Sequence, residues 1–230
     1  MKKQSILGIL LSCAVFGACY LTKPQTVNAA PASIFTPIIR DIKNQIPRGW
    51  VMRLPSSVNL SNTKLYPQVI TDSPGEFAVW LNSRPNCMDR SCQLGVIAVA
   101  QNSKYADNLR FKHIFSKTFF QRVKAIRKRS SQTRTESEYT LLNSSDMAVI
   151  ERTFITLKPG IQGVFIAQNG GGASTPPSLH VLWKQDGLNY RATIKGGFDY
   201  DRSVVIQSQK SALIDLAISM AKESPIKSAN

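Results

Sequence analysis

Residues 178–195 read SLHVLWKQDGLNYRATIK and carry the clearest structural signal in the chain. Two β-rich runs, 178–184 and 188–195, flank the turn sequence Gln185-Asp186-Gly187. An Asp-Gly step between two such runs is a strong hairpin signal, because both residue types tolerate the positive φ that a tight hairpin turn requires. The stretch therefore predicts an antiparallel strand pair.

Further strands are predicted on the N-terminal side of this hairpin. Alternating or β-rich runs occur at residues 50–54, 65–70, 77–81, 95–100, 147–157 and 161–168. Pro67 cannot donate a hydrogen bond to a neighbouring strand, so the 65–70 run is expected at a sheet edge. The 77–81 and 95–100 runs flank two cysteines, which predicts a second hairpin.

Helical periodicity appears at both ends of this β-rich region. Ser33 is a candidate N-cap for an apolar stripe over residues 34–46, and a second stripe runs over 213–222. A partner-binding helix is the alternative interpretation of the first stripe. Helices at both ends with antiparallel pairs between them predict an α+β fold. We expect one domain over residues 30–230, with a mostly antiparallel sheet and both helices packed on it.

The first 29 residues have the three-part layout of a secretory signal peptide. Met1-Lys2-Lys3 is basic, residues 6–21 are apolar or small, and Val27-Asn28-Ala29 offers small residues to a peptidase. The apolar run is shorter than the roughly 20 residues that span a bilayer as a helix. We predict cleavage between Ala29 and Ala30 and export to the periplasm or the cell exterior.

Two alternatives keep the protein attached to a membrane. Residues 6–21 could remain as an uncleaved anchor, or Cys13 or Cys19 could carry a lipid. Small residues precede Cys19, but Phe16 is a poor match to a lipoprotein signal.

Cys87 and Cys92 are the only cysteines outside the first 29 residues, and four residues separate them. In an oxidising compartment a pair this close predicts one disulfide. Zinc would need two more ligands, and His113 and His180 are distant in sequence, so no metal site is expected. A redox motif normally has two intervening residues.

The chain is strongly basic, with 29 Lys and Arg against 14 Asp and Glu and a formal net charge of +15. Much of this excess lies between Lys104 and Arg134, where Asp107 is the only acid. On a helical wheel the apolar and basic residues of this segment lie on opposite sides, as in a basic amphipathic helix. A strand pair is also compatible with the sequence of this segment. We call residues 104–134 the basic segment. Its candidate contacts for an anionic partner are Lys117, Lys124, Arg127, Lys128 and Arg129.

Three interpretations of the basic segment compete. It is either a core-packed helix whose solvent-exposed face is basic, a site for anionic envelope components, or a nucleic-acid site. The envelope partners considered are acidic phospholipid, acidic polysaccharide or another envelope component, because clustered cations concentrate polyanions. Export and the lack of a nucleic-acid motif argue against nucleic acid. The oligomeric state is not readable from the sequence.

No catalytic set can be nominated from the sequence. Residues 169–174 are glycine-rich but lack the lysine and helix of a phosphate loop, and Asp199 and Asp201 fit a solvated turn. A binding or structural role is therefore favoured over catalysis, and no cofactor is implied. Two alternatives remain: a carrier holding a hydrophobic ligand near Trp50, Trp80 and Trp183, and a hydrolase without a recognisable motif.

The order of these features resembles uncharacterised exported proteins of cyanobacterial type. The most specific part is residues 183–190 followed by 213–220, which is similar to a strand-turn-strand-helix unit of bacterial secreted domains of unknown function. This resemblance covers a small part of the chain. It implies a local fold and transfers no residue's role.

Overall fold

A computed structural model describes residues 30–60, 63–71, 75–89, 91–101, 121–122, 125–126, 128–138, 149–168, 178–196, 198–199, 204–205 and 207–229. The fold, contacts and charges given below are those of these residues.

The two predicted terminal helices are present. A 3-10 turn, Ser33–Ile38, continues directly into helix α1, Ile39–Gln45, and helix α2 spans Gln207–Lys222. The prediction of Ser33 as N-cap is wrong, because the turn begins one residue earlier than expected. Ala32 occupies the cap position, where it makes no side-chain capping bond.

One seven-stranded antiparallel sheet dominates the molecule. Its strand order is β2-β3-β4-β8-β7-β6-β5. The strands are β2 (Tyr66–Ile70), β3 (Glu76–Asn82), β4 (Gln93–Gln101), β5 (Val149–Lys158), β6 (Ile161–Gln168), β7 (Ser178–Gln185) and β8 (Leu188–Lys195). Strand β2 lies at one edge, as Pro67 predicts. The α+β prediction with a mostly antiparallel sheet is confirmed.

The predicted hairpins are also confirmed. Asp186 and Gly187 have φ values of 55° and 74°, so the β7–β8 turn uses the positive φ that its sequence allows. Strands β3 and β4 pair around the cysteine loop, and β5 pairs with β6. The two groups of strands join where β4 pairs with β8, with Ala98 opposite Arg191.

The two faces of this sheet differ in composition. The core face is the one on which the helices pack, since α2 contacts β5, β7 and β8. One cross-strand row of this face is Val69, Val79, Ile97, Ala192, Val181, Phe165 and Thr153. The opposite face contains the rows Ile70, Ala78, Ala98, Arg191, Leu182, Val164, Phe154 and Gln68, Trp80, Val96, Thr193, His180, Ile166, Arg152.

The described residues also form four short strands and a second 3-10 turn, Ser131–Thr133. Strand β1 (Val51–Met52) pairs with β11 (Ile226–Lys227), and β9 (Phe198–Asp199) pairs with β10 (Val204–Val205). The strand predicted at residues 50–54 is thus only two residues long and lies outside the main sheet. Its pairing partner is the end of the chain, which has no strand pattern long enough to recognise.

Candidate functional site

The predicted Cys87–Cys92 disulfide is present, with Cα atoms 6.5 Å apart. The loop it closes is held to the sheet by backbone and side-chain hydrogen bonds. Ser83 N donates to Cys92 O at 2.8 Å, and the fully buried Asn82 donates through Nδ2 to Cys87 O at 3.0 Å. Met88 at the loop tip is 58% exposed. The disulfide therefore closes an anchored loop at the end of the β3–β4 hairpin.

The predicted anionic-partner residues fall into two groups. Lys117, Lys124 and Arg127 lie outside the described residues. Lys128 and Arg129 are described, and both are exposed. Arg129 forms an ion pair with Glu138, whereas Lys128 takes part in no ion pair among the described residues.

Arg129 belongs to a turn over residues 128–138 that is held by reciprocal side-chain bonds. Thr135 N donates to Glu138 Oε2 at 3.0 Å, and Glu138 N donates to Thr135 Oγ1 at 3.3 Å, which is a capping box. The bond from Thr135 N to the carboxylate, followed by the Arg129 guanidinium, lowers the pKa of Glu138. Arg134 donates to the carbonyls of Ile126 and Arg129 at 3.3 and 2.9 Å. Arg129 therefore stabilises this turn, and Lys128 is the better placed of the two for contact with a partner.

A polar cluster lies on the opposite face of the sheet around His180. Its Nε2 lies 2.8 Å from Ser178 Oγ, and its Nδ1 lies 2.9 Å from Thr193 Oγ1. The residue keeps part of its surface exposed, but burial of the ring, followed by the nearby Arg191 charge, lowers the pKa of His180 to about 3. The imidazole is therefore neutral near pH 7.

The Ser178–His180 contact has the geometry of a nucleophile beside a base, but not its chemistry. A useful general base has a pKa near the working pH, and a histidine with a pKa of about 3 is a poor proton acceptor. The third member is the hydroxyl of Thr193 and not a carboxylate, so it cannot stabilise an imidazolium. The arrangement is that of a satisfied polar network within a sheet face.

An ion pair lies beside this network. Arg191 of β8 pairs with Glu76 of β3 across β4, and the Glu76 side chain is 6% exposed. Burying a carboxylate is costly unless it is paired and hydrogen-bonded, and Arg191 supplies both. The pair explains how a charged residue is accommodated beside Ala78 and Ala98.

A third polar cluster lies at the C-terminal end of α2 and was not predicted from the sequence. Arg53 donates to the carbonyl of Glu223 and to Asp186 Oδ2, the latter through Nη2 at 2.7 Å. Gln185 Nε2 donates to the carbonyl of Ala221 at 3.1 Å. The last turn of a helix leaves carbonyls without partners, and a cation there is also favoured by the helix dipole. The cluster therefore caps α2 and fixes it to the β7–β8 turn.

The neighbouring aromatic residues are packed as core. Trp183 stacks on Tyr190 with ring centroids 5.3 Å apart, and Tyr190 donates to Val51 O at 3.0 Å. Burial raises the pKa of Tyr190 to about 12. The polar cluster at the C-terminal end of α2 has one signal in the sequence. It is the pair of charged residues, Arg53 and Asp186, next to otherwise apolar runs.

The three tryptophans considered for a carrier pocket do not share a site. Trp183 is buried in the core, and Trp50 packs against the edge of that core. Trp80 lies on the opposite face of the sheet, with Ile70, Ala78 and Ala98. The sheet separates Trp80 from Trp183, so these residues do not line one cavity.

Exposed basic side chains outnumber exposed acidic ones in the described part of the chain. The exposed basic residues are Arg40, Lys43, Arg48, Lys64, Arg84, Arg122, Lys128, Arg129, Lys184, Lys222 and Lys227. The exposed acidic residues are Asp41, Asp89, Glu136, Asp186 and Asp215. Acids are also used in ion pairs, with Arg53–Asp186, Arg129–Glu138, Arg191–Glu76 and Lys210–Glu151. Each pair removes one charge of each sign, so the positive excess remains at the surface.

Of the predicted cleavage residues, Ala29 lies outside the described part, and Ala30 is its first, exposed residue. Within the described ranges no helix is both long enough and apolar enough to cross a bilayer.

Comparison with known proteins adds no relative. No protein-family model matches the chain, and no curated protein or solved structure matches it either.

Proposed function

We propose that this protein is an exported binding module that contacts an anionic component of the cell envelope through its basic surface. The observation that carries the proposal is the excess of exposed basic over exposed acidic side chains, which persists after the ion pairs are counted. A surface of one sign raises the local concentration of ligands of the other sign. Acidic phospholipid head groups are the partner to test first, with acidic polysaccharide as the alternative.

Two features support export to the periplasm or the exterior. The first 29 residues have the layout of a secretory signal, and the Cys87–Cys92 disulfide is compatible with an oxidising compartment. In this setting the anions available to a basic surface are those of the envelope, and we place processing between Ala29 and Ala30.

Within the basic surface we assign the principal contact to the basic segment. It holds the densest run of positive charge in the sequence, with Asp107 as its only acid. Lys128, at the described end of this segment, is exposed and lies next to the turn held by Arg129 and Glu138. Arg129 contributes to this contact by positioning Lys128.

Co-sedimentation of the full chain with vesicles tests the proposal. Vesicles of phosphatidylcholine alone are compared with vesicles containing phosphatidylglycerol, at 20 mM and 500 mM salt. We expect preferential binding to the acidic vesicles that weakens at high salt, because screening shortens the reach of surface charges. Residues 6–21 and the neighbouring Lys2, Lys3 and Lys23 are common to all samples, so the contribution of the basic surface is the change that its variants make in the difference between the two vesicle types. Equal binding to both vesicle types would rule out acidic phospholipid as the partner. If the protein were retained only by an acidic polysaccharide, the polysaccharide would replace phospholipid as the proposed partner.

A matched pair of variants tests the assignment to the basic segment. One variant carries Lys117→Gln, Lys124→Gln and Lys128→Gln, and the control carries Lys64→Gln, Arg84→Gln and Lys184→Gln. Both remove three positive charges, and all three control residues are exposed in the structure. A basic residue near an acidic membrane surface contributes about 1 kcal/mol. We expect the first variant to lose most of the preference for acidic vesicles and the control to lose little of it. Equal losses would show that only net charge matters.

A further inference from the structure

The two ends of the described chain meet at one corner of the molecule. Strand β1 pairs with β11 so that Val51 lies opposite Lys227, and Ala229 N donates to Lys43 O of helix α1 at 2.9 Å. Contacts between α1 and β11 complete this junction. Segments separated by most of the sequence are therefore neighbours in the fold.

Basic residues from four segments lie on the elements of this junction or within a few residues of them. Arg40 and Lys43 lie on α1, Arg48 precedes β1, Lys222 ends α2, and Lys227 lies on β11. All five are exposed, and we refer to them as the basic corner.

Backbone contacts place three of these residues close together. Two residues of extended chain, about 7 Å, separate Ala229 from Lys227, and Ala229 is hydrogen-bonded to the carbonyl of Lys43. Arg48 lies in the tight turn in which Trp50 N donates to Pro47 O at 3.0 Å, directly before Val51, the partner of Lys227. These spacings are close to the Debye length of about 10 Å at 0.1 M salt, so the charges act together on a ligand.

No residue of the basic corner forms an ion pair with another described residue, which is also true of Lys64, Arg84 and Lys184 elsewhere on the surface. The ion pairs among the described residues use Arg53, Arg129, Arg191 and Lys210, and none of them uses a residue of the corner. Asp41 is the exposed acid on α1, whereas Glu223, next to Lys222, is buried. Asp41 offsets part of the charge on α1, and the remaining like charges repel one another, so an anionic ligand relieves that repulsion.

An aromatic residue within the corner favours a membrane surface over a soluble polyanion. Trp50 lies two residues after Arg48 and is partly exposed, while its inner side packs on the core. Tryptophan is enriched at membrane interfaces, because one end of its ring contacts the apolar phase and the other end contacts water. Pro47, in the same turn, is also exposed.

We propose that the basic corner is a second docking surface, which sets the protein on an acidic phospholipid bilayer with Lys43, Arg48 and Lys227 at the head groups. This inference rests on the proposed function and adds a surface that the sequence does not reveal. A second basic surface adds its own attraction for an acidic bilayer to that of the basic segment. Each corner charge is expected to change the affinity about fivefold.

The test uses the full chain and vesicles of phosphatidylcholine with and without phosphatidylglycerol. The corner variant carries Lys43→Gln, Arg48→Gln and Lys227→Gln, and the control is the Lys64, Arg84 and Lys184 triple glutamine variant. We expect the corner variant to lose about 100-fold in affinity for acidic vesicles and the control to lose a few-fold. Thermal unfolding of both variants verifies the fold. The pair Arg40→Gln with Lys222→Gln tests the same corner again, and we expect a loss of about 25-fold.

The outcomes separate this inference from the function on which it rests. If the wild-type chain binds acidic and neutral vesicles equally, the proposed function itself fails. If the wild-type chain prefers acidic vesicles and the corner variants behave like the control, the basic corner is overturned while the proposed function stands. Trp50→Phe supplies an independent readout. It should remove most of the fluorescence shift that acidic vesicles cause, and an unchanged shift would place Trp50 away from the bilayer.

Discussion

The two faces of the seven-stranded sheet are built from the same strands, yet their side chains are stabilised in different ways. On the core face, residues such as Phe165, Val181 and Ile97 are buried among other apolar side chains beneath the helices. On the opposite face, apolar residues share their rows with His180, Arg191 and Glu76, each of which has a polar partner. The core face should therefore depend on packing, and the opposite face on paired polar groups.

The largest expected effect contrasts two phenylalanines on the two faces. Phe165 is fully buried on the core face, whereas Phe154 on the opposite face is 38% exposed. We expect Phe165→Ala to lower the free energy of unfolding by about 4 kcal/mol, through lost burial and the cavity left behind. Phe154→Ala should cost about 1 kcal/mol. Urea unfolding of both variants gives the two values, and equal losses would contradict the contrast between the faces.

The next effect concerns the ion pair on the opposite face. Arg191→Met leaves the carboxylate of Glu76 buried without its partner, and we expect a loss of about 3 kcal/mol in the free energy of unfolding. Replacing both members, with Glu76→Gln added to Arg191→Met, should restore more than half of that loss, because no buried charge remains. If the double variant were as unstable as the sum of the single ones, the pair would not act as a unit.

On the core side the corresponding test is the cap on α2. Arg53→Met removes the donor to the carbonyl of Glu223 and to Asp186, and we expect a loss of about 2 kcal/mol. Asp186→Asn is the matched control. Asparagine tolerates the positive φ of that position and Asp186 is largely exposed, so less than about 1 kcal/mol should be lost. A larger effect from Asp186→Asn would show that the ion pair, and not the cap, holds α2.

The main elements of the fold could be predicted because their signals are local. The β7–β8 hairpin follows from alternating runs around Asp186-Gly187, and the apolar stripe of α2 is visible within 213–222. The pairing of β4 with β8 has no local signal, since about 90 residues separate Ala98 from its partner Arg191. The same holds for β1 and β11, which are two residues long and lie near opposite ends of the chain.

The candidate functional residues are harder to predict for the same reason. Arg129 is a predicted contact for an anion, and its guanidinium also pairs with Glu138, a partner that the sequence alone does not single out among nearby acids. The basic corner is visible only when β11 is paired with β1, which places Lys227 near Lys43 and Arg48. Net charge is additive along a chain and can be read directly, whereas its distribution over the surface depends on the fold.

The smallest expected effect is a pH dependence that comes from the opposite face. In the unfolded chain a histidine has a pKa of about 6.5. Burial lowers the pKa of His180 to about 3 in the folded state. The unfolded state therefore binds more protons below pH 6.5, so the stability is fully present above that value and is lost as the pH falls toward 3. We expect the free energy of unfolding to fall by roughly 1 kcal/mol between pH 7 and pH 5.5 on account of His180. The variant His180→Gln keeps hydrogen-bonding groups for Ser178 and Thr193 but has no proton to bind, so its stability should change less over that interval. Urea unfolding of both proteins at pH 7, 6 and 5.5 measures the difference, and identical slopes would show that His180 is protonated in the folded protein as readily as in the unfolded one.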